Sequence, residues 1–326
     1  MDKVFITRKI SADALEILTS IANVEIWPEE TPPQKDTLLS KMEGISGLLS
    51  LLTDPIDREV IVKGKNLKVI SQMAVGFDNI DTKTATTNGI PVGHTPGVLT
   101  EATADHTWAL LMAVARRIVE AHNEVHDGIW RPWGPDVLCG MDLSGSTLGI
   151  IGMGRIGKAV ARRAKGFGMR ILYYDTSLQK DIEAETGAIF SDMKNVFSQS
   201  DILSLHVYLS ETTKQLVNAK TLALMKPTAI LINTSRGGVV DSIALTNAIL
   251  EKKIAAAGLD VFDPEPIPLN HILLQQKNVI ITPHIASAGK TTRQKMAQIA
   301  VQNLINGLRG EPLLHCANPE VYSKSK

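Results

Sequence analysis

The stretch TLGIIGMGRIGKAVARRAKGFGMRILYYD, Thr147–Asp175, decides how this chain folds. An apolar run, Leu148–Ile151, leads into Gly152-Met153-Gly154-Arg155-Ile156-Gly157. A helical pattern follows, then a second apolar run that ends on Asp175. This order predicts a β-α-β unit that binds a dinucleotide. Gly152 allows a tight turn from strand to helix. Gly154 lets backbone N–H groups approach a pyrophosphate, and Gly157 lets the helix pack close to the strand. The helix N-terminus then offers its positive dipole end to the phosphates. A glycine triplet by itself would be weak grounds. Here the strand, the helix and the terminal acid all stand in their places.

Asp175 refines the expectation. A carboxylate at the end of the second strand can accept bonds from the ribose hydroxyls, and charge-assisted bonds of this kind are worth about 1.5–3 kcal/mol. The same charge would repel the 2′-phosphate of NADP. Thr176 and Ser177 follow, where an NADP site usually offers an arginine. NAD is therefore expected over NADP.

Working outward, the chain has 326 residues, room for two domains of ordinary size. Lys+Arg and Asp+Glu number 34 each, and no long basic run argues for nucleic acid or an anionic membrane surface. No segment is apolar for long enough to span a bilayer. MDKVFITRKI reads as a short strand, without the apolar region of a signal peptide. Cys139 and Cys316 fit a reducing cytoplasm better than a disulfide framework. Neither cysteine has zinc-ligand spacing, the eight histidines are scattered, and no metal site is expected.

About 150 residues precede the glycine loop. They hold strand-like runs at Val4–Thr7, Val24–Trp27, Gly47–Leu52, Leu67–Met73 and Ile90–Gly93, with helical patterns between most of them. This predicts a small parallel-sheet domain. Thr100–His122 shows helical periodicity and reads as one long buried connector helix. After Asp175, strand-like runs recur at Ile202–Val207, Ala229–Asn233, Ala256–Val261 and Val279–Thr282. Together with the first two they make six, the number in a complete doubly wound Rossmann sheet. Lys290–Leu308 reads as a long helix, and Tyr322–Lys326 as a frayed end. Trp130–Leu143 is irregular and reads as an ordered loop at an interface between domains or subunits.

In an open α/β sheet, ligands bind beyond the carboxyl ends of the strands. Thr234-Ser235-Arg236-Gly237-Gly238 follows one such end, Phe262-Asp263-Pro264-Glu265-Pro266 the next, and Pro283-His284 the last. Arg236 offers a planar fork to a carboxylate or keto acid. His284 can move a proton near neutral pH. Glu265 can fix one imidazole tautomer and favour its charged form. Asp263 competes for that role, but prolines flank Glu265 and fix its direction. An arginine fork, a proton donor and a bound nucleotide are what hydride reduction of a 2-keto acid requires.

Longer motifs carry a family resemblance: LLTDPID (51–57), VGFDNID (75–81), HTPGVLTEATADHTWALL (94–111), the glycine-loop stretch, INTSRGGVVD (232–241), AGLDVFDPEP (257–266) and ITPHIASA (281–288). The chain resembles the D-2-hydroxyacid dehydrogenase family nearly end to end, and within it the glyoxylate/hydroxypyruvate reductase group. The resemblance implies a discontinuous, flavodoxin-like substrate domain, residues 1–99 and 288–326, and an NAD-binding Rossmann domain, residues 100–287. It implies Arg236, Glu265 and His284 as the catalytic trio, with His284 protonating the keto oxygen. It gives the substrate carboxylate to the N–H groups of Val75 and Gly76 and to Arg236. Leu52 is expected to bind the substrate, and pocket residues near Leu52, Ala74 and Val137 would decide between 2-keto acids. Around NAD it places the three loop glycines with Arg155, Ile156, Asp175, His206, Val207, Thr213, Thr234, Ser235, Arg236, Asp260, His284 and Ser287, with Thr103 close by. Asp260 would read the nicotinamide carboxamide.

The same resemblance implies a homodimer held through the connector helix and the Trp130–Leu143 segment. Tyr208 departs from the pattern, standing where the family usually has proline on the adenine side. Sibling chemistries remain open on the same residues: 2-ketogluconate, bulkier 2-keto acids, or phosphite as hydride donor. Phosphite-oxidising members, however, use a lysine where this chain has Ala74. A different class, an NAD-sensing corepressor, would need a peptide groove on the first domain; no nuclear-localisation run accompanies it here.

Overall fold

Two parallel sheets organise the chain, and their central strands are buried on both faces, which is why those strands read as continuous apolar runs. The computed structural model describes residues 1–324 and divides into two units. One comprises Met1–Leu99 and the segment from Ala288 onward; the other is Thr100–Ser287.

The first unit holds β1 (Lys3–Ile6), β2 (Asn23–Ile26), β3 (Gly47–Ser50), β4 (Val69–Gln72) and β5 (Val92–Gly93). They lie in the order β2-β1-β3-β4-β5, all parallel. Side chains alternate across the pleat. Phe5, Leu48 and Ile70 pack with Leu38 and Met42 on one face. Val4, Ile6, Leu49 and Val69 pack with Ala300, Val301 and Leu304 on the other. Those last residues belong to the helix Lys290–Leu308, so the chain's late segment completes the core begun by its earliest strands.

That helix sits close. A Cβ on Gly307 would stand 2.4 Å from Val69 Cβ, and one on Gly47 would stand 3.1 Å from Leu304 Cδ1. Ser71 Oγ donates to the Ala300 carbonyl at 2.7 Å.

The second unit holds β6 (Thr147–Ile151), β7 (Arg170–Tyr174), β8 (Ile189–Phe190), β9 (Ile202–Leu205), β10 (Ile230–Asn233), β11 (Ala256–Leu259) and β12 (Val279–Ile281). Their order is β12-β11-β10-β9-β6-β7-β8, again all parallel. This is the doubly wound Rossmann arrangement, with its reversal point between β6 and β9. It has seven strands rather than the six expected. The extra one, β8, has only two residues, both exposed, and is too short to leave a periodic signal.

Two further expectations are corrected. The helix expected over Thr100–His122 is two helices, Thr100–Ala115 and Ile118–His126. Arg117 between them is left-handed, with φ of 53°. The cause lies elsewhere in the chain: Met141 N donates to the Ala115 carbonyl at 2.8 Å, capping the first helix from outside. Gly140 makes this approach possible, because a Cβ there would stand 2.2 Å from the same oxygen. The chain end does not fray at Tyr322. Pro319–Lys324 forms a 3-10 turn, and the Tyr322 hydroxyl accepts from Leu313 N at 3.0 Å. Residues 325 and 326 lie outside the described residues.

Residues 129–143 are irregular, with Trp130 and Trp133 exposed. Among the described residues, no helix is long and apolar enough to cross a membrane.

Gly307→Ala should lower the free energy of unfolding by about 1–3 kcal/mol, since its new methyl meets Val69 on a rigid strand. Urea midpoints of the two proteins measure this, and equal midpoints would show that the helix can shift.

Candidate active site

At the reversal point of the second sheet, β6 ends on Ile151 and the chain turns sharply. Gly152 has φ of 94°, and a Cβ there would lie 2.6 Å from the His206 carbonyl oxygen. The turn therefore needs glycine both for its dihedral and for the neighbouring backbone. Gly157 faces back onto the same turn; its Cβ would lie 2.1 Å from the Gly152 carbonyl oxygen. Around the Cβ position of Gly154 there is open space. Gly154 also caps the helix Arg155–Gly166 with no side-chain bond. The first-turn N–H groups, including those of Arg155 and Ile156, are thus left for an anion. The three glycines have three distinct jobs, and together they form a cradle that fits a pyrophosphate.

Asp175 stands beside this loop. Its Oδ2 accepts from Met153 N at 2.6 Å, and its Oδ1 from Thr176 N at 2.6 Å and Thr176 Oγ1 at 3.1 Å. The carboxylate is held in one orientation and retains acceptor capacity. His206 follows β9, and its Nε2 pairs with Ser204 Oγ at 2.8 Å. Burial pushes its pKa down to about 3, so the ring stays neutral. Val207 packs near Gly152. The Thr213 hydroxyl accepts from Ser210 N at 2.8 Å in the loop that follows. Tyr208, in the same loop, is exposed.

Past β10, the buried Asn233 staples the next turn. Its Oδ1 accepts from Ser235 N and Oγ, at 3.0 and 2.8 Å, while its Nδ2 donates to the Arg236 carbonyl at 3.0 Å. Gly237 then passes against the following loop, where its Cβ would lie 2.0 Å from the Phe262 carbonyl oxygen. That approach brings the Arg236 turn against the segment carrying Glu265.

Glu265 Oε1 accepts from Phe262 N at 3.0 Å, and Oε2 pairs with His284 Nδ1 at 2.9 Å. Burial raises the Glu265 pKa; the bond and charge of His284, the Phe262 N–H and the Arg236 charge outweigh it. The carboxyl is therefore held below its usual range. Arg236, Glu265 and His284 are brought together at adjoining strand ends.

Asp260, 1% exposed, organises the His284 loop. Its carboxylate accepts from Thr282 Oγ1 at 2.6 Å, Ile285 N at 2.9 Å and Ala286 N at 2.8 Å. Its carbonyl accepts from His284 N at 2.8 Å. His284 sits between these anchors with φ of 55°, a costly conformation for a non-glycine residue. Ser287 stands one residue beyond.

Sequence reasoning did not find His106, whose Nε2 lies 3.2 Å from Asp260 Oδ1 and 3.1 Å from Thr282 Oγ1. It also did not find Thr107, whose hydroxyl pairs with Thr234 Oγ1 at 2.8 Å and bonds the Thr103 carbonyl at 2.7 Å. Thr103, His106 and Thr107 stand at i, i+3 and i+4, one face of a helix. That spacing was the signal available.

In the first unit, Leu52 sits in the Leu51–Asp54 turn after β3, and Val75 and Gly76 follow β4. Thr95 N donates to the Ala74 carbonyl at 2.8 Å, and His94 Nδ1 pairs with the Val75 carbonyl at 2.9 Å. A trans peptide points its N–H opposite its C=O. The N–H groups of Val75 and Gly76 are thus turned away from these partners. Among the described residues neither has a protein acceptor, as an anion site would require. No group of three or more His, Cys, Asp or Glu is gathered for a metal ion among those residues.

Residues 108–286 match the family model described as D-isomer specific 2-hydroxyacid dehydrogenase, NAD binding domain. The chain belongs to that family. A glyoxylate reductase of Korarchaeum cryptofilum is 50% identical over 320 residues, covering 98% of this chain and 96% of that one. The TT0316 protein of Thermus thermophilus superposes with a TM-score of 0.90 at 45% identity, covering 97% and 99% of the two chains. An NADPH-dependent glyoxylate/hydroxypyruvate reductase of Sinorhizobium meliloti, solved with NADP and malonate, gives 0.84 at 30% identity, covering 98% of each chain. As a D-2-hydroxyacid dehydrogenase the chain is an oxidoreductase, and its second unit is a nicotinamide-dinucleotide domain.

Gly157→Ala should weaken NADH binding by at least about tenfold, because a methyl pressed on the Gly152 carbonyl must displace the phosphate turn. Titration of NADH fluorescence measures it, and an unchanged Kd would remove the packing role given to this glycine.

Proposed function

We propose that the chain reduces glyoxylate, and the related hydroxypyruvate, to the D-2-hydroxy acids glycolate and D-glycerate with NADH. The observation that carries this reading is the His284–Glu265 pair, 2.9 Å apart, beside the Arg236 turn of a nucleotide-binding sheet. The names of similar reductases in other organisms support the substrate class.

The nicotinamide, when bound, supplies the hydride that reaches the keto carbon. His284 supplies the proton to the keto oxygen. Its Nδ1 is engaged by Glu265, so Nε2 is the donating atom. Glu265, ionised at neutral pH, favours the imidazolium and fixes its ring. The Arg236 guanidinium bridges carboxylate and keto oxygen, a planar pairing that suits its fork. The N–H groups of Val75 and Gly76 bind the substrate carboxylate, with Leu52 against its side chain. The Gly152–Gly157 turn would hold the cofactor's phosphates. Thr103, His206, Val207, Thr213, Thr234, Ser235, Asp260 and Ser287 line the rest of its site.

NAD is preferred because the fixed Asp175 carboxylate accepts from a ribose diol and repels a 2′-phosphate. The protein works as a homodimer through the exposed Trp130 and Trp133 segment and the helices Thr100–Ala115 and Ile118–His126. Its two free cysteines suit the cytoplasm.

Purified protein should oxidise NADH with glyoxylate or hydroxypyruvate faster than with pyruvate or 2-ketogluconate, and much faster than it oxidises NADPH. In Asp175→Ala the ratio of NADH to NADPH kcat/KM should fall by about tenfold or more. An unchanged ratio would reject the role of that acid, and no turnover with any 2-keto acid would reject the function.

Glu265→Gln tests the proton donor. Removing the carboxylate takes away the charge that orients the His284 ring through Nδ1 and balances it during proton transfer. kcat for reduction should fall by about tenfold or more, while the Kd for NADH stays near wild type. An unchanged kcat would break the pairing.

A further inference from the structure

Two loops of the first unit carry the groups assigned above to the substrate, Leu52 on one and Val75–Gly76 on the other. Between them lies a pair of amide side chains with no part in the reaction. Gln72, wholly buried at the end of β4, accepts from Ser50 Oγ at 2.7 Å through Oε1. Its Nε2 donates to Asn79 Oδ1 at 2.5 Å and to the Gly76 carbonyl at 3.3 Å. Asn79 Nδ2 then donates to the carbonyls of Leu51, at 3.1 Å, and Asp54, at 2.8 Å.

The far loop is closed on itself by Asp54. This carboxylate, with no exposed surface, accepts from Leu51 N at 2.7 Å, from Thr7 Oγ1 at 2.5 Å and from Arg8 Nη2 at 3.2 Å. Leu52 is therefore clamped between two fixed ends.

We propose that Gln72 and Asn79 are positioning residues that lock the Leu52 loop to the Val75–Gly76 turn as one rigid cradle, and so set which 2-keto acid side chains are accepted. Burying a primary amide is costly unless its hydrogen-bonding groups are matched. An apolar residue would fill the same space at the end of β4 without that demand. These amides end on backbone carbonyls of both loops, so they fix loop against loop rather than merely filling a core. The anion turn keeps its distance from Leu52, and that distance measures the substrate between carboxylate and side chain. The inference rests on the reading of Val75–Gly76 as the carboxylate site.

Gln72→Met keeps the length of the side chain and removes its bonds. Its KM for glyoxylate should rise about fivefold or more, while kcat changes less than about twofold, because an orphaned amide lets the loops drift apart. The kcat/KM preference for glyoxylate over 2-ketobutyrate should shrink, and the Kd for NADH should stay as in wild type. Ser50→Ala removes only the hydroxyl that holds Gln72; it should move KM and the preference in the same direction by about twofold.

Equal KM and equal preference in folded Gln72→Met would overturn the proposal, as would a KM rise matched by an equal loss of NADH affinity. If Gln72→Met does not fold, Ser50→Ala decides by the same readouts. Wild-type protein in the same assay separates the two claims. Its failure to turn over any 2-keto acid would overturn the functional reading itself, whereas wild-type turnover with unmoved variants overturns only the cradle.

Discussion

A carboxylate sealed from water must collect its hydrogen bonds from the protein. Asp260 is that carboxylate, and the architecture of the second unit answers it. The hydroxyl of Thr282 and the amides of Ile285 and Ala286 turn toward it, and His106 reaches it from the helix Thr100–Ala115. The chain between Thr282 and Ile285 has little choice of path, and His284 is left on the outside of the bend. The His284 imidazole meets Glu265 through Nδ1. It is held by the backbone beneath it, whose geometry Asp260 imposes. Close packing then aligns the neighbouring loops: Gly237 brings the Arg236 turn to the Glu265 loop, and Gly152 brings the phosphate turn to His206. One buried charge and two missing side chains give the site much of its shape.

Much of this could be read from the residues. The central strands are buried on both faces, so they stand out as apolar runs in the sequence. The glycine loop announces itself because each of its glycines meets a separate steric demand. The convergence of Arg236, Glu265 and His284 follows from topology, since parallel strands in one sheet end on one edge. What escaped reading depends on partners distant in sequence. Val119 continues the apolar period of the first helix, yet that helix ends at Ala115 because Gly140 and Met141 arrive there from another part of the chain. Strand β8 has two exposed residues and no pattern to detect. Gln72 and Asn79 look like ordinary polar residues at a strand end and in a turn. Their importance lies in which carbonyls they meet, and only the fold decides that.

The two units solve the same problem by different means. In the nucleotide unit, glycines remove atoms so that backbone can approach backbone. In the other unit, side-chain amides, a carboxylate and His94 add bonds that fix the backbone of the loops after β3 and β4. The first device is intolerant of added volume, the second of lost polarity. Asp175 belongs partly to both, since it ties down the glycine loop through Met153 N while remaining able to accept from a further donor.

The helix Lys290–Leu308 covers strands whose residues precede it by most of the chain. On the ribosome, β1, β3 and β4 therefore emerge with one apolar face covered only in part, by the helix Ala12–Thr19, and remain so while residues 100–287 are made. At ordinary elongation rates that interval lasts about 10–40 s. The nucleotide unit, continuous in sequence, has all its strands in hand before the covering helix appears. Through that interval the apolar face of the nascent sheet stays short of its final cover, an exposure of the kind that favours aggregation over folding.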